Sequence, residues 1–146
     1  MELVDTLRVR PADNVACKGN LREVFRGHEE RQTLLGVERN QTHHILVPGK
    51  ISGNHWHEKK VELFYVICGP GVDVYLMDRL TGEMVVKRVQ ESYKFTLAPG
   101  IAHALHNPSS EPTHVMEYTN LKFNPNTPRH DVYMLERCLV TGNTLA

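Results

Sequence analysis

The sequence predicts an all-β fold, a small sandwich or barrel of short antiparallel strands. Three observations carry this reading. Runs of Val, Ile, Leu, Phe and Tyr recur in short pieces along the chain. Gly, Pro, Asn and Asp punctuate them. No segment keeps a helical apolar period: "VACKGNLREVFRGHEERQ" starts one, but Gly19 and Gly27 interrupt it. Short strands at close spacing with explicit turns are the pattern of sandwiches and barrels.

In chain order, strands are expected at "LREVFR" (21–26), "THHILV" (42–47), "NHWH" (54–57), "VELFYVIC" (61–68) and "VDVYLMD" (72–78). "MVVKRVQ" (84–90), "YKFTL" (93–97), "HALHN" (103–107), "HVMEYT" (114–119) and "DVYML" (131–135) complete the set. "VPGK", "CGPG", "APG" and "NPSSEP" are turns, and "DRLTGE" joins two strands as a hairpin. "KFNPNTPRH" (122–130) reads as an extended loop and "CLVTGNTLA" as a fraying tail. There is no internal repeat, low-complexity tract or linker, so a single domain over 1–146 is expected.

Composition narrows the function classes. The 17 basic and 17 acidic residues cancel, which argues against nucleic acid or an anionic membrane as partner. No apolar run approaches the roughly 20 residues of a membrane helix, and the N-terminus has no signal-like apolar segment. Cys17, Cys68 and Cys138 are scattered and odd in number, so they form no disulfide framework and fit a cytoplasmic protein. Nine histidines in 146 residues raise the expectation of a metal or proton-transfer site.

The chemistry concentrates in "GNHWHEKKVELFYVICG" (53–69). On a strand His55 and His57 share a face, with Trp56 on the other. If "EKK" turns the chain back, Glu62 comes beside them. His103, after the Pro99–Gly100 turn, supplies a fourth ligand. His55, His57, Glu62 and His103 would hold one divalent ion and leave positions for water or substrate. Such a ligand set suits zinc, iron, manganese or nickel. His43 and His44 point to opposite faces, so at most one faces the interior. His106 points away from His103, and Tyr65 and Tyr75 read as packing residues. Cys68 is expected in a core strand.

Gly49, His55, His57, Glu62 and Gly69 stand as G-x5-H-x-H-x4-E-x6-G, and Gly100, His103 and Asn107 as G-x2-H-x3-N. These resemble the two motifs of the cupin superfamily, with a shorter turn before Gly100. The resemblance implies a jelly-roll β-barrel of two antiparallel sheets around one metal site. Over about residues 15–135, "KGNLREVFR", "PGIAHALHN" and "FNPNTP" further resemble the C-terminal cupin of capsular polysaccharide-assembling proteins. That resemblance implies a metal-binding epimerase or isomerase of a nucleotide-linked keto sugar in polysaccharide biosynthesis, and a homodimer. Lys60 matches a lysine of those cupins and would meet an anionic substrate, unless it is a solvated turn residue. Tyr118 is either a proton donor or a packing residue. The first segment also resembles dTDP-4-keto-sugar 3,5-epimerases, which share the barrel and use a histidine mechanism without metal. The catalytic base is not identified by the sequence. An iron-dependent dioxygenase, another metalloenzyme of this fold, and a non-catalytic sugar-binding cupin remain as alternatives.

Overall fold

The computed structural model describes residues 8–11, 20–23, 40–120 and 131–145. These residues contain no helix and hold eleven strands. The strands are β1 (Arg8–Pro11), β2 (Asn20–Glu23), β3 (Asn40–Leu46), β4 (Ile51–Trp56), β5 (Glu62–Cys68) and β6 (Val72–Met77). The others are β7 (Met84–Val89), β8 (Lys94–Leu97), β9 (Ala102–His106), β10 (Thr113–Thr119) and β11 (Tyr133–Met134). β1 pairs with β2 alone. The remainder forms a four-stranded sheet, β3-β10-β5-β8, and a five-stranded sheet, β11-β4-β9-β6-β7. Every ladder is antiparallel. This is the jelly-roll, cupin-type architecture that the motifs imply.

Period-two patterning explains how the sheets face each other. β6 alternates buried Val72, Val74 and Leu76 with half-buried Asp73, Tyr75 and Met77. Leu46, Phe64, Val66, Phe95, Leu97, Leu105 and Val115 join them in one apolar cluster. Sheets packed this way bury apolar side chains at about 25 cal/mol per Å². β5 is buried from Glu62 through Val66 because it lies between β10 and β8 with its face covered. "DRLTGE" closes the β6–β7 hairpin: Asp78 Oδ1 accepts from the Leu80 and Thr81 amides, and the Gly82 amide donates to the Asp78 carbonyl.

The motif residues outside the ligand set shape the backbone. Gly69 has φ 105°, and a Cβ there would come within 2.5 Å of the Pro112 carbonyl oxygen, so only glycine fits. Asn107 is fully buried, donates to the Leu46 and Glu111 carbonyls and accepts from Ser109. One amide thus joins the end of β3 to the turn before β10.

Two expectations need adjustment. β4 begins at Ile51, earlier than the "NHWH" run, and ends at Trp56, so His57 lies past the strand. Cys68 is exposed at the end of β5, because the strand leaves the core beyond Val66. Residues 24–26, the 122–130 loop and Cys17 fall outside the described residues. No helix among the described residues is long and apolar enough to cross a membrane.

Candidate metal centre

The four expected ligands converge. One donor atom from each of His55, His57, Glu62 and His103 lies within 4.8 Å of the others. His55 and His103 face each other across the β4–β9 ladder, with ring centroids 4.9 Å apart. His55 and His57 rings are 4.6 Å apart. Glu62 reaches them from the opposite sheet, as the first residue of β5. The two sheets therefore share the site, and the β4–β5 connection completes it with His57.

Strand alternation alone does not produce this arrangement. The β4–β9 register slips between Gly53 and His55, which leaves Asn54 as an extra residue with φ 61°. The bulge re-aims His55 across from His103. It also frees the Asn54 amide to fasten the C-terminal segment, accepting from the Leu139 amide and donating to the Arg137 carbonyl. Asn54 is buried, so these bonds also offset its desolvation.

His57 is held from outside the strand. Its Nδ1 lies 2.7 Å from the Asp131 carbonyl oxygen, which can only accept, so Nδ1 carries the proton. The Gly100 amide donates to the His57 carbonyl at 2.6 Å, and Arg79 Nε donates to the Gly100 carbonyl. The Asp131 carboxylate accepts from three successive amides, Glu58, Lys59 and Lys60. Burial would raise the Asp131 pKa, but those amides hold it below its ordinary value. One residue therefore closes the "EKK" turn and orients a ligand ring. His103 Nδ1 likewise faces a carbonyl, that of Ile101, at 3.1 Å.

With Nδ1 of each ring facing a carbonyl, the Nε2 atoms of His57 and His103 point toward Glu62 Oε1, 2.8 and 3.1 Å away. The short His57 contact lacks hydrogen-bond directionality: His57 Nε2 and Glu62 Oε1 are both buried without a hydrogen-bond partner. Only a proton or a cation relieves such a convergence of lone pairs. Burial, followed by the neighbouring His103 and His57, lowers the His55 pKa to about 3, so its ring stays neutral and able to ligate. Burial disfavours the charged form of Glu62, yet contacts with His103, His57 and Glu117 pull its pKa well below the ordinary value. Ligands on one ion at about 2.0–2.2 Å span up to about 4.4 Å, so small side-chain adjustments would let the group hold a divalent ion. The residues fit the metal, and ring nitrogens anchored to carbonyls are the support that metal-bound histidines use.

The cluster opens into a cavity of about 160 Å³. Lys60 lines it and is only 8% exposed, so it is not a solvated turn residue. Tyr118 is not among the lining residues; it follows the cavity-lining Glu117 on β10 and so points to the other face of the sheet. Trp56 stacks on Tyr133 at 4.3 Å, and the Arg79 guanidinium covers its ring at 3.4 Å. His43 stays outside with His114, whereas His44 lines the cavity.

Sequence reasoning missed Glu117 and Asp131. Glu117 lies on the inward face of β10, two residues from buried Val115, and contacts His44; burial and the nearby Glu62 carboxyl raise its pKa. The signal was available: a lone acid at the inward period of "HVMEYT". Asp131 left no such trace, because its partners are backbone amides more than 70 positions away.

In solved structures, the capsular polysaccharide assembling protein CapF from Staphylococcus aureus matches at TM-score 0.61 and 24% identity, over 88% of this chain and 34% of that one. This chain thus spans about a third of that protein. The dTDP-6-deoxy-D-glucose-3,5-epimerase RmlC from Legionella pneumophila, in complex with dTDP-4-keto-L-rhamnose, matches at TM-score 0.61 and 16% identity, covering 84% and 68%. An oxalate oxidase in complex with glycolate matches at TM-score 0.55 and 17% identity, covering 62% and 45%. At these identities the likenesses speak for the fold. A search of curated sequences gives no significant match. The model of the polysaccharide biosynthesis C-terminal domain covers residues 14–133, and the chain belongs to that family.

Proposed function

We propose that the protein is a metal-dependent cupin that epimerises or isomerises a keto sugar, carried on a nucleotide, in polysaccharide biosynthesis. The observation that carries this is the buried convergence of His55, His57, Glu62 and His103 in a cavity that also receives Lys60. When bound, a divalent ion supplies Lewis-acid polarisation of a carbonyl oxygen. The Lys60 ammonium adds positive charge to the same space and favours electron density moving onto that oxygen. The cavity is smaller than the roughly 300–1,000 Å³ of drug-sized pockets, so it takes the sugar end while the nucleotide lies at the mouth. Family membership and the likeness to a sugar-nucleotide epimerase support this reading.

The test has two parts. Elemental analysis of the purified protein should give about one divalent ion per chain. Incubation with a nucleotide-linked 4-keto sugar in deuterium oxide should then exchange the hydrogen beside the carbonyl. Metal without exchange, but with oxygen consumption on small acids, would favour an oxidase or dioxygenase. Metal and sugar binding without turnover would favour a binding cupin. The homodimer implied by the family resemblance belongs to this reading, and light scattering checks it.

A further inference from the structure

We propose that His44 is the acid–base residue of this site and that Glu117 positions it. The inference rests on the keto-sugar reading above and supplies the proton acceptor that the metal ligands cannot provide. With an ion bound, the lone pairs of His55, His57 and His103 would be engaged by it, so none of them could take a proton from substrate while ligating.

The geometry sets His44 apart from the other histidines. It lies on β3 opposite Val115 of β10, on the face that also carries Glu117. Its Nε2 is 2.6 Å from Glu117 Oε2. Glu117 in turn shares the cavity wall with Glu62. His44 and Glu117 both line the metal cavity, yet neither belongs to the ligand set. The His44 side chain is 32% exposed, so a proton it accepts can pass to solvent. Its neighbour His43 has none of these properties: it faces out and contacts His114.

A carboxyl oxygen accepting from Nε2–H fixes the tautomer and leaves the lone pair on Nδ1. In the step proposed, Nδ1 takes the proton from the carbon next to the substrate carbonyl. The C–H bonding pair becomes the second bond between the two carbons, and the carbonyl π pair moves onto oxygen. A water molecule delivering a proton to the opposite face of that carbon reverses the electron movements with inversion. His44 then releases its proton to solvent, so protons and charge balance. Glu117 stabilises the transient imidazolium from its Nε2 side.

The test uses the metal-loaded full chain with dTDP-4-keto-L-rhamnose and its UDP-linked 4-keto counterparts as probes, following deuterium uptake from solvent by mass spectrometry. H44Q should keep metal content and melting temperature, keep probe KM within about threefold, and lower the exchange kcat by about 10²–10⁴. Imidazole added to H44A should restore part of that rate. E117A should lower kcat, and E117Q, which still offers Nε2 an acceptor, should recover most of it with KM unchanged. H43Q should behave as the parent. If the parent exchanges and H44Q matches it within threefold, or if H44Q is slow only because metal is lost, the assignment of His44 fails while the epimerase reading stands. If the parent itself exchanges no probe, the epimerase reading fails and His44 falls with it.

Discussion

Strand β5 carries Val66 into the apolar end of the sandwich and Glu62 into its polar end. β9 does the same with Leu105 and His103. At the apolar end, alternation within strands is sufficient, because any well-filled set of aliphatic side chains excludes water. At the polar end, alternation only delivers side chains to the right face. A bulge at Asn54, a turn closed by Asp131 and amide contacts at Gly100 then fix the ring directions. The apolar end therefore tolerates changes that conserve volume, while the polar end depends on a few hydrogen bonds that cross long stretches of chain.

The sharpest break in this comparison comes from charging the apolar end. Val66 is fully buried, so Val66→Asp should destabilise by more than about 4 kcal/mol and abolish cooperative unfolding. Far-UV circular dichroism during a thermal ramp checks it; a melting temperature within a few degrees of the parent would contradict the core as described. At the other end, His57→Ala should leave the fold intact and weaken metal affinity by more than about 100-fold, beyond the usual cost of losing an outer partner. Titration calorimetry with zinc measures this, and retained full stoichiometry with tight binding would remove His57 from the ligand set.

Asp131→Ala tests whether support matters at the polar end. It removes the acceptor of three amides while leaving all four ligands in the chain. Metal affinity should fall about 10–100-fold, with little change in the melting temperature of the metal-free form. An unchanged zinc affinity would show that the turn holds itself.

Acid separates the ends more gently. In the metal-free protein the folded state binds a proton at His55 only near pH 3, whereas the unfolded chain binds it near 6.5. Stability contributed by neutral His55 is thus lost as pH falls from about 6.5 towards 3, at no more than about 1.4 kcal/mol per pH unit. The raised pKa of His57, where Glu62 and Asp131 outweigh burial, acts in a different window: its contribution is complete below about 6.5 and is lost as pH rises through the folded value, so it leaves the acid slope to His55. Denaturant melts of the parent and His55→Gln across this range should differ in slope, the variant being flatter; identical slopes would refute the attribution. The smallest effect is expected from Arg79→Ala, which uncovers Trp56 at an exposed cation–π contact. With the exposed hydrogen bond to the Gly100 carbonyl lost as well, it should cost about 1 kcal/mol, read from the same melts, and a loss above about 2 kcal/mol would mean that Arg79 does more than these two contacts.

The strands and the four ligands were legible because both follow local rules. Val72, Val74 and Leu76 announce a strand by period two, and the histidine and glutamate spacing survives as a motif. The bulge was not legible: "SGNHWH" reads as plain alternation, and only the pairing with β9 shows that Asn54 stands out of register. Exposure of Cys68 was misjudged because its run stays apolar past the point where β5 leaves the core. Lys60 stayed open between a substrate contact and a solvated turn residue because the sequence does not show that Asp131 holds its backbone amide. His44 could not be told from His43 without knowing which face of β3 meets β10 in register with Glu117.

The hold of Asp131 on His57 spans 74 positions of chain, whereas the β6–β7 hairpin closes over a tight turn. Closing the longer loop costs more entropy and brings few contacts until the site is nearly complete. During refolding, hairpins should therefore form first and competence to bind metal should arrive late. The chain carries its own reporter of that moment. Its single tryptophan, Trp56, stacks on Tyr133, two residues beyond Asp131. In stopped-flow experiments the tryptophan signal should change in the same slow phase as zinc uptake, after the amide signal of the sheets. A tryptophan change that runs ahead of zinc uptake would mean that the 131–134 segment docks before the ligands are in place.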